Sequence, residues 1–379
     1  MKILHSIPSV LRTSAGPSYS VLRLCDYLAL NNDVSLISSD EVSEKFKHDF
    51  IKTFPTILGL KKLGVSLKMQ KWIANNLKNH NFDIVHSHSL WMMQNIYPSW
   101  ESKKNRIPVV ISPRGTLSPE AFKSGSIVKS LFWPLIQKPV LRDSTIFHAT
   151  SNQEKNDIRE LGFKQPIAVV PNGIDLPEIK KIKKDNKPLK KLLFLGRIHP
   201  IKGIHNLLMA WQEIQNIHQN WTLEIVGPDN YNYLSELNRI AKKLQLKRVV
   251  FSKEIHGEEK NMKYQSADLF ILPSHSENFG VSVAEALSNG IPCVVSKGAP
   301  WKILDEKKAG WWIDNSVEML TKNLISILSM STSELESMGL NGRDLVSEDF
   351  NWNKVSAMMT EVYLWILTKK NQPSFVYHD

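Results

Sequence analysis

Short apolar runs alternate with amphipathic stretches along the whole chain, an alternation that predicts an α/β protein. In the first half the runs are Lys2 to Val10, Asp33 to Ser38, Asp83 to His88, Pro108 to Ser112, Thr145 to Ala149 and Ile167 to Val170. In the second half they are Leu192 to Leu195, Trp221 to Val226, Arg248 to Phe251, Asp268 to Leu272 and Pro292 to Val295. Runs this short and this rich in branched residues suit strands buried on both faces of a parallel sheet. Between them apolar residues recur at helical spacing, as at Val21, Leu24, Cys25 and Leu28, and at Leu207, Leu208, Trp211 and Ile214. Residues 232–244, 258–266, 279–289 and 316–329 also read as helices, and Ser18 stands where a cap belongs. A last amphipathic helix runs through Val355, Met358, Met359, Val362, Tyr363 and Leu367, and the tail after Lys369 is expected to fray.

The 379 residues suffice for two domains with full cores. Glu178 to Lys191 is a lysine run with few packing residues, the composition of an interdomain linker. The expected layout is a first Rossmann-like domain over 1–178, a linker over 179–191, a second such domain over 192–350, and a closing helix with its tail over 351–379.

Composition narrows the class. A hydrophobic content of 42% is that of a soluble globular protein, and no run of about eighteen apolar residues is present to cross a membrane. Cys25 and Cys293 lie in different halves, which points to a reducing compartment and a cytoplasmic protein. The net charge of +11 is uneven: up to Lys180 there are 23 Lys and Arg against 15 Asp and Glu. A basic first half fits an anionic membrane face, a phosphorylated acceptor or nucleic acid. Ser118 to Arg142 and Leu60 to His80 combine lysines with apolar and aromatic residues. Each is either a basic segment lying on an anionic bilayer or a core-facing helix with a solvated lysine side.

Two stretches carry the chemistry. In Leu192-Leu-Phe-Leu-Gly-Arg-Ile-His-Pro-Ile-Lys-Gly203 a strand gives way to a helix through a turn where Gly196 allows close approach of backbone. Arg197 and Lys202 there supply cations able to neutralise a diphosphate leaving group. In Pro273 to Gly290, a strand is followed by a polar turn and a helix, so the amides of Asn278, Phe279, Gly280 and Val281 are placed to hold a phosphate. Glu277 repels a phosphate and suits sugar hydroxyls instead, and Glu285 suits a second set. Alternatively the pair is an acidic helix start with one exposed glutamate.

Glu277 and Glu285, with seven residues between them, resemble the Glu-x7-Glu signature of the retaining GT-B glycosyltransferases of family 4, and Gly196 to Gly203 resembles that family's Gly-Arg-x-x-x-x-Lys-Gly motif. Val170-Pro-Asn-Gly-Ile-Asp175 is similar to another of its segments. The resemblance implies two Rossmann-like domains facing across a cleft, a nucleotide-sugar donor bound mainly by the second, and a glycan or lipid-linked acceptor bound by the first. It implies Glu277 at the transferred sugar and Glu285 at the ribose, with Arg197 and Lys202 at the diphosphate. Gly16 matches one of two glycines near the donor, while Gly227 and Ile255 line the nucleotide pocket. At Ser112-Pro-Arg-Gly-Thr116 many members have His-Gly-Thr, so Arg114 stands where a histidine meets the reacting sugar. From the residues alone Arg114 is either a fixed charge at the sheet edge or a loop arginine paired with a carboxylate. His86 and His88 end a strand without further metal ligands nearby in sequence, so His88 is expected to line the acceptor side.

No Asp-x-Asp triplet is present, and neither a cofactor nor a metal is expected. The implied reaction is sugar transfer with retained configuration, in synthesis of a cell-surface polysaccharide or lipid-linked oligosaccharide, at the inner face of the membrane. Two alternatives are a same-fold nucleotide-sugar enzyme acting on a soluble or nucleic-acid acceptor, although nucleic acid is disfavoured, and a catalytically silent binding subunit.

Overall fold

A computed structural model describes residues 1–10, 15–39, 48–60, 63–119, 122, 127–179 and 189–379. They form two compact units, one of Met1–Gly173 with Trp352–Asp379 and one of Ile174–Asn351.

The first unit holds β1 (Lys2–Ser6), β2 (Asp33–Ser38), β3 (Ile51–Thr53), β4 (Ile84–His88), β5 (Val109–Ser112), β6 (Ile146–Ala149) and β7 (Ile167–Val169). The second holds β8 (Lys190–Leu195), β9 (Trp221–Val226), β10 (Val249–Ser252), β11 (Leu269–Leu272), β12 (Cys293–Ser296) and β13 (Gly310–Ile313). The chain ends with β14 (Val376–Tyr377), which joins the first sheet. The sheet orders are β14-β7-β6-β5-β4-β1-β2-β3 and β10-β9-β8-β11-β12-β13. Every pairing is parallel except β14 with β7. In each sheet the order reverses once, between β1 and β4 and between β8 and β11, and α/β sheets bind ligands beyond the strand ends at such a reversal.

Strand side chains alternate between faces. Leu4, Val85, Ile111, Phe147 and Ile167 pack with Met69, Ile73 and Leu77 of the helix Leu67–Lys78 and with Ile96 and Tyr97 of the helix Met93–Asn105. Ile3, Ile84, Val110, Ile146 and Ala168 pack on the other face with Val21, Leu24 and Leu28 of the helix Ala15–Ala29 and with Val355, Met359 and Val362 of the helix Trp352–Thr368. The second unit has one continuous core around Phe194, Trp211, Trp221, Phe270 and Leu287.

Two local expectations are corrected. The first helix begins at Ala15, with Gly16 and Pro17 in its first turn, where the missing proline N–H costs no helical bond. Ser18 therefore does not cap it, and its hydroxyl donates to the Ser9 carbonyl at 2.9 Å. The tail does not fray. Val376 is buried and paired with Ala168, and Val169 N donates to Phe375 O at 2.9 Å. Lys155 also lies over the Tyr377 ring at 4.1 Å, so two short residues of strand are held from three sides.

Candidate active site

In the second unit the reversal point is built from the turns after β8 and β11. Gly203 has φ +66°, and a Cβ there would collide with the Pro273 carbonyl, so only glycine lets the two turns meet. His275 N donates to Ile201 O at 2.8 Å, which ties them together. On the far side Glu277 N donates to Gly298 O at 2.8 Å, and Ser296 Oγ donates to Ser274 O. Lys202, at the end of the 3-10 turn Pro200–Lys202, reaches Glu277 and forms an ion pair with its carboxylate. Ser274 Oγ donates to the same carboxylate oxygen at 2.8 Å.

Arg197 is exposed. Together with Lys202 it lies close enough to His199 to help hold that imidazole below its usual pKa, after the larger effect of burial. Three basic side chains thus share one turn. Four residues after Glu277, the partner of Lys202, starts the helix Val281–Ser288, capped by Gly280 at φ +79°. The first free helical amides are therefore those of Val281 and Ser282, three residues later than the run beginning at Asn278. Phe279 is a core side chain: its ring packs on Trp301 and Phe350, and Trp301 Nε1 donates to its carbonyl at 2.5 Å.

Glu285, one turn into this helix, is held by two groups that its spacing did not reveal. Lys260 pairs with one carboxylate oxygen and Tyr264 Oη donates to the other at 2.9 Å. The Tyr264 hydroxyl is pushed well above its ordinary pKa by burial and then by the Glu285 charge, so it stays a donor. Each oxygen keeps a lone pair for a ligand hydroxyl. Gly227 packs against the Gly196 carbonyl at the ends of β9 and β8. Ile255 lies half-buried against the core just after β10.

In the first unit the reversal point is a buried polar layer. His5 in β1, His86 and His88 in β4, Ser112 in β5 and His148 in β6 all face the helix Trp352–Thr368. Each is 0 or 1% exposed. Hydrogen bonds fix the tautomers. His148 Nε2 donates to Val170 O at 2.9 Å, so its Nδ1 accepts from Ser112 Oγ. Ser112 in turn accepts from His86 Nε2, leaving His86 Nδ1 to accept from Tyr363 Oη at 2.6 Å. A second chain begins at Arg114, whose Nη2 donates to His88 Nδ1 at 3.4 Å. His88 Nε2 then donates to His5 Nδ1 at 2.9 Å. Among the described residues, His5 Nε2 and Arg114 Nε have no partner.

Burial keeps the four imidazoles neutral. His5 and His148 are lowered to about 3, chiefly by burial and next by the Arg114 charge, and His86 and His88 are also held well below the usual value. Arg114 is itself lowered to about 10 by burial, against the opposing pull of Glu154. Its partners are Asn172 and His88 rather than an ion-paired carboxylate among the described residues. Glu154 instead accepts from Gly115 N and Thr150 N. Arg114 adopts φ +58°, a left-handed turn that an arginine takes only when its surroundings dictate it.

The sequence did not reveal His5 as a companion of His86 and His88. These three could offer nitrogens to one metal ion, all within 4.8 Å of one another. The hydrogen bonds already engage five of their six ring nitrogens, and the Arg114 charge opposes a cation. Gly16 lies exposed in the first turn of its helix, next to residues 11–14, which fall outside the described residues.

The Glycosyltransferase Family 4 model matches residues 15–178, and the Glycosyl transferases group 1 model matches 175–345. The chain is similar to glycogen synthase of Mycobacterium tuberculosis, at 24% identity over 89% of this chain and 84% of that protein. It is also similar to alpha-monoglucosyldiacylglycerol synthase of Streptococcus pneumoniae, at 25% identity over 62% of this chain and 56% of that one. Among solved structures, Anabaena HepE in complex with UDP and glucose shares the fold with a TM-score of 0.76 and 19% identity, over 96% of this chain and 99% of that one. Two parallel α/β units of the GT-B class, covered almost end to end by two adjoining family models, identify the chain as a glycosyltransferase of family 4, with a group 1 domain as its second half.

Proposed function

We propose that the protein transfers a hexose-type sugar from a nucleoside-diphosphate donor to an acceptor hydroxyl with retention at the anomeric carbon. The observation that carries this reading is the meeting of Lys202, Glu277 and the start of the helix Val281–Ser288 at one sheet reversal.

As the bond from the anomeric carbon to the donor phosphate breaks, negative charge collects on the departing diphosphate. Lys202, Arg197 and the amides of Val281 and Ser282 supply the compensating positive charge, in the role that a divalent cation fills in other transferases. Glu277 then exchanges its contact with Lys202 for sugar hydroxyls, and Glu285, oriented by Tyr264 and Lys260, accepts those of the ribose. The acceptor oxygen bonds to the anomeric carbon on the face the phosphate leaves, and its proton passes to the leaving phosphate. Glu277 orients the sugar and makes no covalent bond to it. We assign the acceptor to the first unit, with Arg114 as its fixed cation and His88 as the neutral group that positions Arg114.

A donor of this chemistry is supported by the solved relative with UDP and glucose, and a lipid-linked acceptor by the diacylglycerol glucosyltransferring relative. The reading includes a cytoplasmic protein working on a cell-surface or lipid-linked glycan; no helix among the described residues is long and apolar enough to cross a membrane. The test is transfer and donor hydrolysis with UDP-, GDP- and ADP-hexoses, with and without lipid-linked acceptors, and product stereochemistry by proton NMR. One donor should be used with retention, and Lys202→Ala and Glu277→Ala should abolish turnover. Full activity in either variant, or an inverted product, contradicts the proposal.

A further inference from the structure

We propose that the turn at residues 57–60 and the helix Leu67–Lys78 form a docking surface for an anionic lipid bilayer. This deepens the reading above by naming where the acceptor is met, and rests on that reading only for its purpose.

Ile57, Leu58, Leu60 and Leu67 are 38, 87, 41 and 55% exposed. A single exposed leucine is ordinary, but four large apolar side chains within one turn and the adjoining helix start form a patch. The turn is built and not frayed. Ile57 N donates to Val65 O at 2.8 Å, Leu60 N donates to Ile57 O at 3.0 Å, and Ser66 caps the helix through Met69 N. Phe54 and Met69 anchor it from below in the core.

The charge on the same element selects the partner. Met69, Ile73 and Leu77 face inward, which leaves Lys68, Lys71 and Lys78 on the exposed side. Between Asp49 and Asp83 the sequence has six lysines and no acidic residue. Among the described residues, Lys68, Lys71 and Lys78 have no ion-pair partner. A second copy of the chain laid face to face would set these lysines against their own kind, whereas lipid phosphates complement them. The helix is twelve residues long, too short to span a bilayer, so the leucines enter the headgroup boundary while the lysines sit at phosphate level.

The experiment is co-sedimentation of the full chain with phosphatidylcholine vesicles, with or without phosphatidylglycerol. Binding should require phosphatidylglycerol and weaken steeply between about 0.1 M and about 0.5 M salt. Leu58→Ser should weaken it about ten-fold, and Lys68→Gln and Lys71→Gln about five-fold each. The thermal shift produced by whichever of UDP-, GDP- or ADP-glucose stabilises wild type should be the same in these variants, so that loss of docking is distinct from loss of the donor site. Equal binding by Leu58→Ser and wild type, binding to phosphatidylcholine alone, or a concentration-dependent dimer that Leu58→Ser abolishes each overturns the proposal.

Discussion

Moving from about pH 7.5 to about pH 5.5 is a perturbation that His5, His86, His88 and His148 should feel more than any other group in the first unit. Their folded pKa values are depressed, to about 3 for His5 and His148 and well below the usual value for the other two. An unfolded histidine titrates near 6.5. Stability from this layer is therefore fully present above about pH 6.5 and is lost as pH falls from there towards the folded values. Over these two pH units each buried imidazole forfeits about 1.4 kcal/mol, because the unfolded chain gains nearly one proton there that the folded chain refuses. Four of them give on the order of 5 kcal/mol, a large part of a domain's total stability. The assay is urea unfolding at both pH values and constant ionic strength, with the first unit's transition assigned by hydrogen exchange in β1, β4 and β6. His5→Asn should flatten the pH dependence by about one proton. A loss below about 1 kcal/mol in wild type would show that the imidazoles already carry protons in the folded state, and the neutral relay from Tyr363 to Val170 would be wrong.

Three further outcomes follow from particular contacts. Tyr264→Phe removes the hydroxyl that orients Glu285, and should weaken donor binding about ten-fold with little change in kcat, read from steady-state kinetics at saturating acceptor. Gly203→Ala forces a Cβ into the Pro273 carbonyl at a positive φ, and should cost at least about 2 kcal/mol by thermal unfolding while also lowering transfer activity. Deleting residues 371–379 uncovers the edge of β7 and the pocket that Val376 fills; the first unit should lose about 2 kcal/mol while the second is unaffected, which domain-resolved hydrogen exchange would report.

The parallel strands were readable because short branched apolar runs have few other uses, and β1, β4, β8 and β11 lie where such runs occur. Strands set by their partners were not. The edge strand β3 has only one half-buried residue, β13 opens on a glycine, and β14 is two residues long. The helix Thr332–Asp349 also escaped notice, since Gly339 and Gly342 occupy positions on its buried face where a pattern looks for large side chains. Gly339 does so because the Gly290 carbonyl packs against it.

At the site, Lys202 and Glu277 could be singled out because each sits in a short motif with distinctive residues. Their mutual contact could not, as 75 residues separate them. The groups around them come from still other segments: Ser274 on Glu277, Lys260 and Tyr264 on Glu285, and His5, Ser112, His148, Asn172 and Tyr363 around His88 and Arg114. One signal was present. A strand buried on both faces should be apolar throughout, and His5, His86, His88 and His148 interrupt three such strands on one face.

The central claim is that the second unit holds a nucleoside diphosphate with side-chain cations and helix amides. Calorimetric titration of UDP, ADP and GDP into wild type and Lys202→Met, all in excess EDTA, tests it most directly. One of the three should bind the wild type despite the chelator, and the variant should bind that nucleotide about 10- to 100-fold more weakly. Unchanged affinity in Lys202→Met, or wild-type binding that appears only when a divalent cation is restored, contradicts the claim.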